Sequence, residues 1–225
     1  MKSEKFLTRS LVAALKGSRR LTKRSRVMKE VDCYLGVADV VTMQWSRAFW
    51  KNLTPRTIAP LSRPGTALVY VLIEGLGKAS AEVLVARLGL ATSTVSRHLA
   101  SLRRAKLVSH RKDGTYRIAV PFPHRSLRIT AYEAKIEKWQ RALYQAARYW
   151  SFANQVYVVL PLSRARKVLT NKKFFRSTGV GLMGINGAGA LKKLIASATF
   201  TPRSSTIRLR VAARGVLAAQ RAARK

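Results

Sequence analysis

The chain has 225 residues and a formal net charge of +35, because 44 Lys and Arg residues stand against only 9 Asp and Glu residues. This charge favours nucleic acid as the first partner to consider and an anionic membrane surface as the second. An apolar fraction of 48% argues against wholesale disorder. The single cysteine, Cys33, excludes an internal disulfide framework and a cysteine-rich zinc site. No run approaches about 20 apolar residues, so no membrane-spanning helix is expected.

Near the start of the chain a leucine recurs at every fourth position, which predicts an amphipathic helix. Apolar stretches on both sides of Gly36 predict two strands joined by a turn. Three prolines in the following stretch indicate a linker. The predicted elements are a helix over 3–16, strands over 27–35 and 38–45, and a linker over 46–65.

Residues 66–120 have a different pattern, with helix-starting and helix-ending residues at short intervals. Ser80 can cap the start of one helix, Gly89 can end it, and Thr92 or Ser93 can cap the next. A Lys-Asp-Gly turn between two short apolar runs then predicts a hairpin. The predicted elements are helices over 67–76, 80–88 and 92–106 and a hairpin over 107–120.

The remaining residues alternate between strand and helix patterns and end in a basic segment. No acidic residue occurs from Lys138 to Lys225. The predicted elements are strands over 127–136, 155–160 and 178–186, helices over 138–153, 162–170 and 189–198, and a basic tail over 201–225.

The order of elements over 66–120 resembles the winged helix-turn-helix regulators of the MarR and ArsR kind. The resemblance implies that the third helix enters the DNA major groove and that the hairpin contacts the adjacent groove. Base and phosphate contacts are therefore expected from Thr92, Ser93, Thr94, Ser96, Arg97, His98, Arg103, Arg104, Arg111 and Lys112. The metal-sensing function of ArsR proteins is not expected, because this segment contains no cysteine. A winged helix that contacts protein or is only structural is the alternative.

The flanking segments, 1–45 and 127–186, carry a second ordered set of residues. An Asp follows a turn in GVADVV, an acid and a lysine stand two apart in ITAYEAKIEKW, and a Gln and a Tyr stand four apart in QAARY. This order resembles the PD-(D/E)xK nuclease superfamily. The residues concerned are Asp39, Glu133, Lys135, Gln145 and Tyr149, with Glu4 as the acid that many members carry on their first helix. Two departures are Ala38 in place of the usual proline and a separation of 94 residues between Asp39 and Glu133 (133 − 39).

The strand pattern around Glu133 supports a buried site independently. In a strand, Glu133 and Lys135 point to one face, together with Ile129 and Ala131. The other face carries Tyr132, Ala134 and Ile136. Apolar residues on both faces indicate a central strand, where a charge is costly unless it is paired or coordinates a metal. A pairing of Glu133 with Lys135 in an inactive fold is therefore the structural alternative.

The resemblance implies metal-dependent phosphodiester hydrolysis. Mg²⁺ or Mn²⁺ would be held by Asp39, Glu133 and the carbonyl of Ala134, which are the oxygen ligands that Mg²⁺ prefers. Lys135 would orient the attacking water or offset negative charge, and Gln145 and Tyr149 would position the DNA strand.

The sequence as a whole predicts an α/β (α+β) protein with a restriction-endonuclease-like mixed sheet flanked by helices and an inserted winged helix. The predicted regions are a nuclease-like domain over 1–45 and 127–200, a linker over 46–65, a winged helix over 66–120 and a tail over 201–225. We expect a magnesium-dependent endonuclease of the cytoplasm, associated with the nucleoid, that binds duplex DNA and no membrane. The oligomeric state, including a homodimer, stays open. The alternatives are a winged-helix transcription regulator with an inactive nuclease-like fold and an RNA-binding protein of ribosomal type.

Overall fold

A computed structural model describes residues 3–18, 25–33, 36–45 and 53–222. The helices are α1 (Glu4–Gly17), α2 (Pro55–Ile58), α3 (Pro64–Leu76), α4 (Ala81–Leu88), α5 (Thr92–Arg104), α6 (Trp139–Ala147), α7 (Leu162–Val168), α8 (Lys172–Thr178) and α9 (Ser205–Ala222). The strands are β1 (Ser25–Asp32), β2 (Val37–Gln44), β3 (Lys78–Ala79), β4 (Val108–His110), β5 (Tyr116–Ile118), β6 (Arg128–Ala134), β7 (Gln155–Pro161), β8 (Gly181–Ile185) and β9 (Leu191–Ile195). Across these ranges, no helix is long and apolar enough to cross a membrane.

The chain divides into two compact units. The first unit comprises Met1–Ser46 and Leu127–Ser204, and the second comprises Arg47–Ser126 and Ser205–Lys225. The segment that interrupts the first unit therefore lies between β2 and β6, and it forms the second unit together with the C-terminal helix α9.

The first unit is built on a six-stranded mixed sheet with the order β1-β2-β6-β7-β8-β9. β1, β2 and β6 pair antiparallel, β6, β7 and β8 pair parallel, and β9 returns antiparallel to β8. Helices cover both faces of this sheet, as the alternating orientation of strand side chains requires for a doubly buried sheet. The predicted α+β class, with a mixed sheet flanked by helices, is confirmed.

Helix α1 covers one face of the sheet through its leucine stripe. Leu7, Leu11 and Leu15 are buried against a cluster that includes Val40 and Tyr132. The stripe works because residues four apart lie on one side of a helix. Full burial of each leucine contributes roughly 1.5–3 kcal/mol. The Ser3 hydroxyl accepts a hydrogen bond from the Phe6 amide and so begins the helix at the position that its sequence predicts.

Helices α6 and α7 lie on the opposite face of the sheet. Gly184 of β8 shows how closely α7 approaches, since a Cβ built at this position would lie 2.6 Å from Leu162 Cδ1 and 3.2 Å from the Ala165 Cβ. On α6, Ala142, Leu143 and Ala146 form the buried side. The short 3₁₀ turn after α6 extends this contact and places Tyr149 over the sheet.

The second unit contains a winged helix formed by α3, α4, α5 and the small sheet β3-β5-β4. Ser80 caps α4 by accepting from the Val83 amide, and Gly89 ends the helix with a left-handed φ of 61°. Both features agree with the sequence prediction. Helix α5 differs slightly, because its N-cap is Ala91 and no side chain caps it. The core beneath these helices consists of Leu84, Val95, Leu99, Leu102 and Tyr70.

Three segments differ from their predicted structure. The predicted helix over 189–198 is wrong, because the chain turns at Gly189, where φ is 79°, and continues as β9. Helix α8 was not predicted as an element. The predicted tail contains α9, which buries Leu209, Val211, Ala212, Ala213 and Val216.

The predicted linker also has ordered structure where it is described. It contains α2 and a 3₁₀ turn over Ala59–Ser62, with Ile58 and Leu61 buried. Prolines fit here because they occupy first-turn positions, where the missing N–H has no helical partner. Residues 46–52 of the predicted linker lie outside the described residues.

Candidate active site and helix-turn-helix surface

The two predicted metal-binding carboxylates lie on neighbouring strands of the first unit. The antiparallel register of β2 and β6 pairs Val40 with Tyr132, and its continuation by one residue places Asp39 opposite Glu133. The Ala134 amide donates a hydrogen bond to Asp39 Oδ2 at 2.8 Å. The long sequence separation between the two acids arises because a segment of the second unit is inserted between their strands. The pairing of β2 with β6 nevertheless brings the two acids together.

Glu133 is almost completely buried, with 2% of its surface exposed, and both of its oxygens have a partner. The Tyr149 hydroxyl donates to Oε2 at 2.5 Å, and Lys135 Nζ lies 3.2 Å from Oε1. Lys135 Nζ also lies 3.3 Å from Glu4 Oε2, so the start of α1 lies beside Glu133 and Lys135. We call Glu4, Asp39, Glu133, Lys135 and Tyr149 the acid cluster.

Of the two residues that the sequence analysis placed on the following helix, Tyr149 contacts the acid cluster. The Tyr149 hydroxyl lies 2.9 Å from the Val37 carbonyl as well as against Glu133, and its one proton can be donated to only one of them at a time. Gln145 lies one turn earlier, and its Oε1 is buried without a hydrogen-bond partner. A buried carbonyl oxygen without a donor is costly, which makes Gln145 an available ligand or acceptor.

Burial and mutual charge shift the acids of this cluster. Burial raises the pKa of Asp39, although the Ala134 amide and Lys135 oppose the rise. Burial and the charge of Asp39 raise the pKa of Glu133, against hydrogen bonds from Tyr149 and Lys135. Two neighbouring carboxylates in a low-dielectric site repel each other, and a cation relieves that repulsion.

The two hydrogen-bond donors of the cluster stay protonated. Burial alone would lower the pKa of Lys135, but Glu133, Asp39 and Glu4 outweigh that effect and raise it. Burial and Glu133 raise the pKa of Tyr149 strongly. Lys135 is therefore an ammonium ion, and Tyr149 is a neutral hydroxyl donor, over the ordinary pH range.

The donor set of the acid cluster fits a hard divalent cation. It consists of carboxylate oxygens, from Asp39, Glu133 and Glu4, which are the ligands that Mg²⁺ prefers. In the described part of the chain, no group of three or more His, Cys, Asp and Glu residues could hold a metal ion. A metal here would thus depend on two carboxylates, a backbone carbonyl and oxygens from water or substrate.

In the second unit, most of the predicted DNA-contacting side chains are exposed. They lie at the start of α5, at its end, and at the tip of the hairpin between β4 and β5. The exposed residues are Thr92, Ser93, Ser96, Arg97, Arg103, Arg104, Arg111 and Lys112, while Thr94 is half-buried. The helix thus presents polar and basic groups outward and buries Val95, Leu99 and Leu102.

His98 differs from the prediction that it faces a DNA groove. Its Nδ1 lies 3.0 Å from the Thr66 hydroxyl, and its ring packs so closely on Gly65 that a Cβ there would lie 2.3 Å from Nε2. Burial and the nearby charges of Arg97 and Arg63 lower its pKa. His98 lies three residues after the buried Val95 and therefore faces α3, which the polar character of the residue alone did not reveal.

The hairpin carries one basic residue that the sequence analysis omitted. Arg117 of β5 is exposed between the half-buried Tyr116 and Ile118. Alternation along this strand could have identified it. At the hairpin tip, hydrogen bonds from Thr115 lower the pKa of Asp113 to about 2, so this carboxylate stays charged among the surrounding cations.

Comparison with protein-family models gives a match that lies within the second unit. Residues 67–110 match the model of a family described as bacterial regulatory protein, arsR family. This match confirms the DNA-binding helix-turn-helix that the sequence predicts there. Comparison with curated proteins and with solved structures gives no match.

Proposed function

We propose that this chain is a DNA-binding, metal-dependent phosphodiester hydrolase. The helix-turn-helix of the second unit binds duplex DNA, and the acid cluster of the first unit cleaves it. The observation that carries the proposal is the convergence of Asp39 and Glu133, which stand 94 residues apart (133 − 39) and yet meet at adjacent positions of β2 and β6. Two acids side by side repel each other and add nothing to a structural ion pair, whereas a divalent metal ion is often held by two carboxylates.

The topology of the first unit supports this proposal. A helix, a hairpin, a third antiparallel strand, a helix and a parallel strand follow one another as α1, β1–β2, β6, α6 and β7. This is the order that the resemblance to the PD-(D/E)xK superfamily implies for the Asp, the Glu-x-Lys and the Gln-x-x-x-Tyr positions. The winged helix enters at the β2–β6 connection without interrupting their pairing.

Asp39, Glu133 and the Ala134 carbonyl would hold Mg²⁺ or Mn²⁺, which, when bound, supplies a Lewis acid and lowers the pKa of a water nucleophile. The chain itself supplies the remaining functions. Tyr149 fixes the rotamer of Glu133 through its hydroxyl, and Gln145, one turn before Tyr149, offers a buried oxygen without a hydrogen-bond partner. Both are positioning residues.

Lys135 acts as a fixed positive charge in this proposal. Because its raised pKa keeps it protonated, it cannot serve as the general base. Its ammonium group is held between Glu133 and Glu4 and can instead offset the negative charge that develops on a phosphate oxygen. Glu4 keeps the ammonium at the mouth of the cluster.

One observation favours a second function, a winged-helix regulator with an inactive nuclease-like fold. Both oxygens of Glu133 already have partners, and Lys135 bridges Glu133 and Glu4. Such a closed network also describes a purely structural ion pair. The match to a regulatory family agrees with this function as well.

A cleavage assay distinguishes the two functions. A labelled duplex is incubated with the wild type, Asp39→Ala and Glu133→Ala in Mg²⁺, in Mn²⁺ and with a chelator, and retention is measured by gel shift. We expect metal-dependent cleavage by the wild type and a loss of at least about a hundredfold in both variants, with binding intact.

The matched control is Glu137→Ala, because Glu137 is an exposed acid whose ion-pair partner is Arg164 and not a member of the acid cluster. It should cleave as the wild type does. Equal cleavage by Glu133→Ala and the wild type, or no cleavage by the wild type over many duplexes, contradicts the hydrolase and favours the regulator.

A further inference from the structure

Helices α6 and α8 of the first unit border an apolar groove that the proposed hydrolysis does not use. Its volume is about 430 Å³, within the range of pockets that hold small ligands. We call it the stacking groove. It is lined by Trp139, Gln140, Leu143, Tyr144, Ala147, Asn171, Phe174 and Thr178.

The aromatic rings of the stacking groove are fixed on one side and open on the other. Trp139 stacks on the buried Phe175 with centroids 5.7 Å apart and meets Phe174 at 6.0 Å. Tyr144 is 72% exposed and Phe174 is 45% exposed. Exposed large rings on a rigid base form a surface on which a planar group can stack.

The two helices that border the stacking groove carry only basic charge, and the nearest acid along the chain, Glu137, is paired with Arg164. Neither α6 nor α8 contains an acidic residue, and none occurs anywhere from Lys138 to Lys225. Arg141 lies three residues before Tyr144, on the same side of α6, and Lys172 and Lys173 begin α8 with exposed side chains. Lys173 Nζ lies 5.3 Å from the centroid of the Phe174 ring.

We propose that the stacking groove binds single-stranded nucleic acid. Unpaired bases stack on Tyr144 and Phe174, and the adjoining phosphates contact Arg141 and Lys173. Open aromatic rings set among cations are the combination by which proteins hold single strands without reading their sequence. Duplex DNA does not fit this surface, because its bases are already stacked on one another. The inference goes beyond the hydrolase and does not depend on the acid cluster.

A single-strand binding assay with the full chain tests the inference. The probe is a fluorescein-labelled oligodeoxythymidine of about 12 nucleotides. An abasic oligonucleotide of the same length and charge is the matched ligand, and binding is followed by fluorescence anisotropy. We expect the base-containing strand to bind at least about tenfold more tightly than the abasic strand. Equal affinity for the two would overturn the proposal, since phosphate attraction alone would then explain binding.

Variants of the groove separate stacking from charge. Tyr144→Ala and Phe174→Ala should each weaken single-strand binding about tenfold with an unchanged salt slope, and Tyr144→Phe should restore it. Arg141→Ala should reduce the slope of log affinity against log salt by about 0.7. The control is Phe6→Ala, which removes a ring of 52% exposure on α1 and should bind like the wild type.

Two further results separate this inference from the proposed hydrolase. In a gel shift, Tyr144→Ala should bind duplex DNA with the affinity of the wild type. The wild type should still bind the single strand when a chelator removes divalent metal. If Tyr144→Ala instead abolishes self-association of the chain, or capture of an acidic protein segment, while single-strand binding is unchanged, the groove is a protein interface and the proposal is wrong.

Discussion

The winged helix and the acid cluster carry their charged groups in opposite ways. On the winged helix, Arg97, Arg103 and Arg104 are exposed, and each can contact DNA without any other side chain. In the acid cluster, Glu133 is buried and its two oxygens depend on Tyr149 and Lys135. In the proposed function the first region would therefore act by additive surface attraction, whereas the second would act through a few groups held in fixed positions.

This difference predicts different losses when single side chains are removed. A change in the acid cluster should reduce the rate of cleavage and leave binding almost unchanged. A change on the winged helix should reduce binding by a small step, and more protein should restore cleavage. Kinetics that separate the maximal rate of cleavage from the affinity for DNA measure these two kinds of loss independently.

The largest effect is expected for Lys135→Ala. This variant removes the ammonium group that, in the proposed hydrolase, offsets charge at the phosphate, and it leaves Glu133 with one partner fewer. We expect the cleavage rate at saturating protein to fall at least about a hundredfold, with duplex affinity within about threefold of the wild type. Single-turnover cleavage checks this.

Lys138→Ala is the control for Lys135→Ala, because it removes an exposed lysine three residues away. If both variants lose the same small amount of activity, the position of Lys135 within the cluster has no special value. If Lys135→Ala loses binding instead of rate, the two regions do not differ as described.

A smaller effect is expected for Arg103→Ala and Arg104→Ala. Both residues are exposed at the end of α5, and each neutralises about one phosphate in the proposed complex. Each variant should lower the slope of log affinity against log salt by about 0.9 on duplex DNA, without changing the preferred sequence. Gel shifts at several salt concentrations measure the slope. An unchanged slope in both variants would place the duplex on another surface.

Arg97→Ala should behave differently from Arg103→Ala, although both remove one exposed arginine of α5. Arg97 lies in the first half of the helix, where side chains reach base edges. We expect a loss of about 1–3 kcal/mol in discrimination between preferred and non-preferred duplexes. A selection experiment on randomised duplexes gives this ratio, and unchanged discrimination would contradict the predicted orientation of α5.

The smallest effect is a pH dependence of stability in the second unit. His124 is fully buried, its Nδ1 contacts the Phe122 carbonyl, and its Nε2 has no partner. Burial lowers its pKa in the folded state. Unfolding therefore takes up a proton once the pH is below the ordinary histidine value near 6.5. The stability contribution is complete above that pH and is lost as the pH falls towards the folded pKa.

Denaturant unfolding at several pH values between about pH 7.5 and about pH 5 measures this effect. The slope contributed by His124 should be at most about 1.4 kcal/mol per pH unit and should disappear in His124→Phe. Because phenylalanine is apolar and similar in shape to histidine, the buried site next to Phe122 should accommodate it. A slope that persists in the variant would assign the pH dependence to another group.

Local signals in the sequence were sufficient for the winged helix and insufficient for parts of the first unit. Helix α4 is capped by Ser80 at its start and by Gly89 at its end. The capping hydrogen bonds and the left-handed backbone that set these ends involve only near neighbours. The residues of β9, by contrast, have a pattern that suits a helix, and only pairing with β8 makes them a strand. The packing of His98 on Gly65 is also long-range and could not be predicted from α5 alone.

The acid cluster was predictable as a set of residues but not as a geometry. The pattern around Glu133 indicates a central strand, and the spacing of Gln145 and Tyr149 indicates one helical face. The residue pattern alone does not place Asp39 opposite Glu133, because the pairing of β2 with β6 spans the whole inserted segment. Only the resemblance to the nuclease superfamily implies that the two acids meet. The hydrogen bond between Tyr149 and Glu133 likewise depends on how α6 packs on the sheet.

The most direct test of the acid cluster as a metal site is to locate a bound metal on the protein. Fe²⁺ replaces Mg²⁺ in the complex with duplex DNA, ascorbate and peroxide generate hydroxyl radicals at the iron, and mass spectrometry identifies the backbone cuts. We predict cuts near Asp39 and near Glu133 in the same preparation, suppressed by excess Mg²⁺ and absent in Glu133→Ala. Cuts confined to other segments, or an identical pattern in Glu133→Ala, would contradict the proposed metal site.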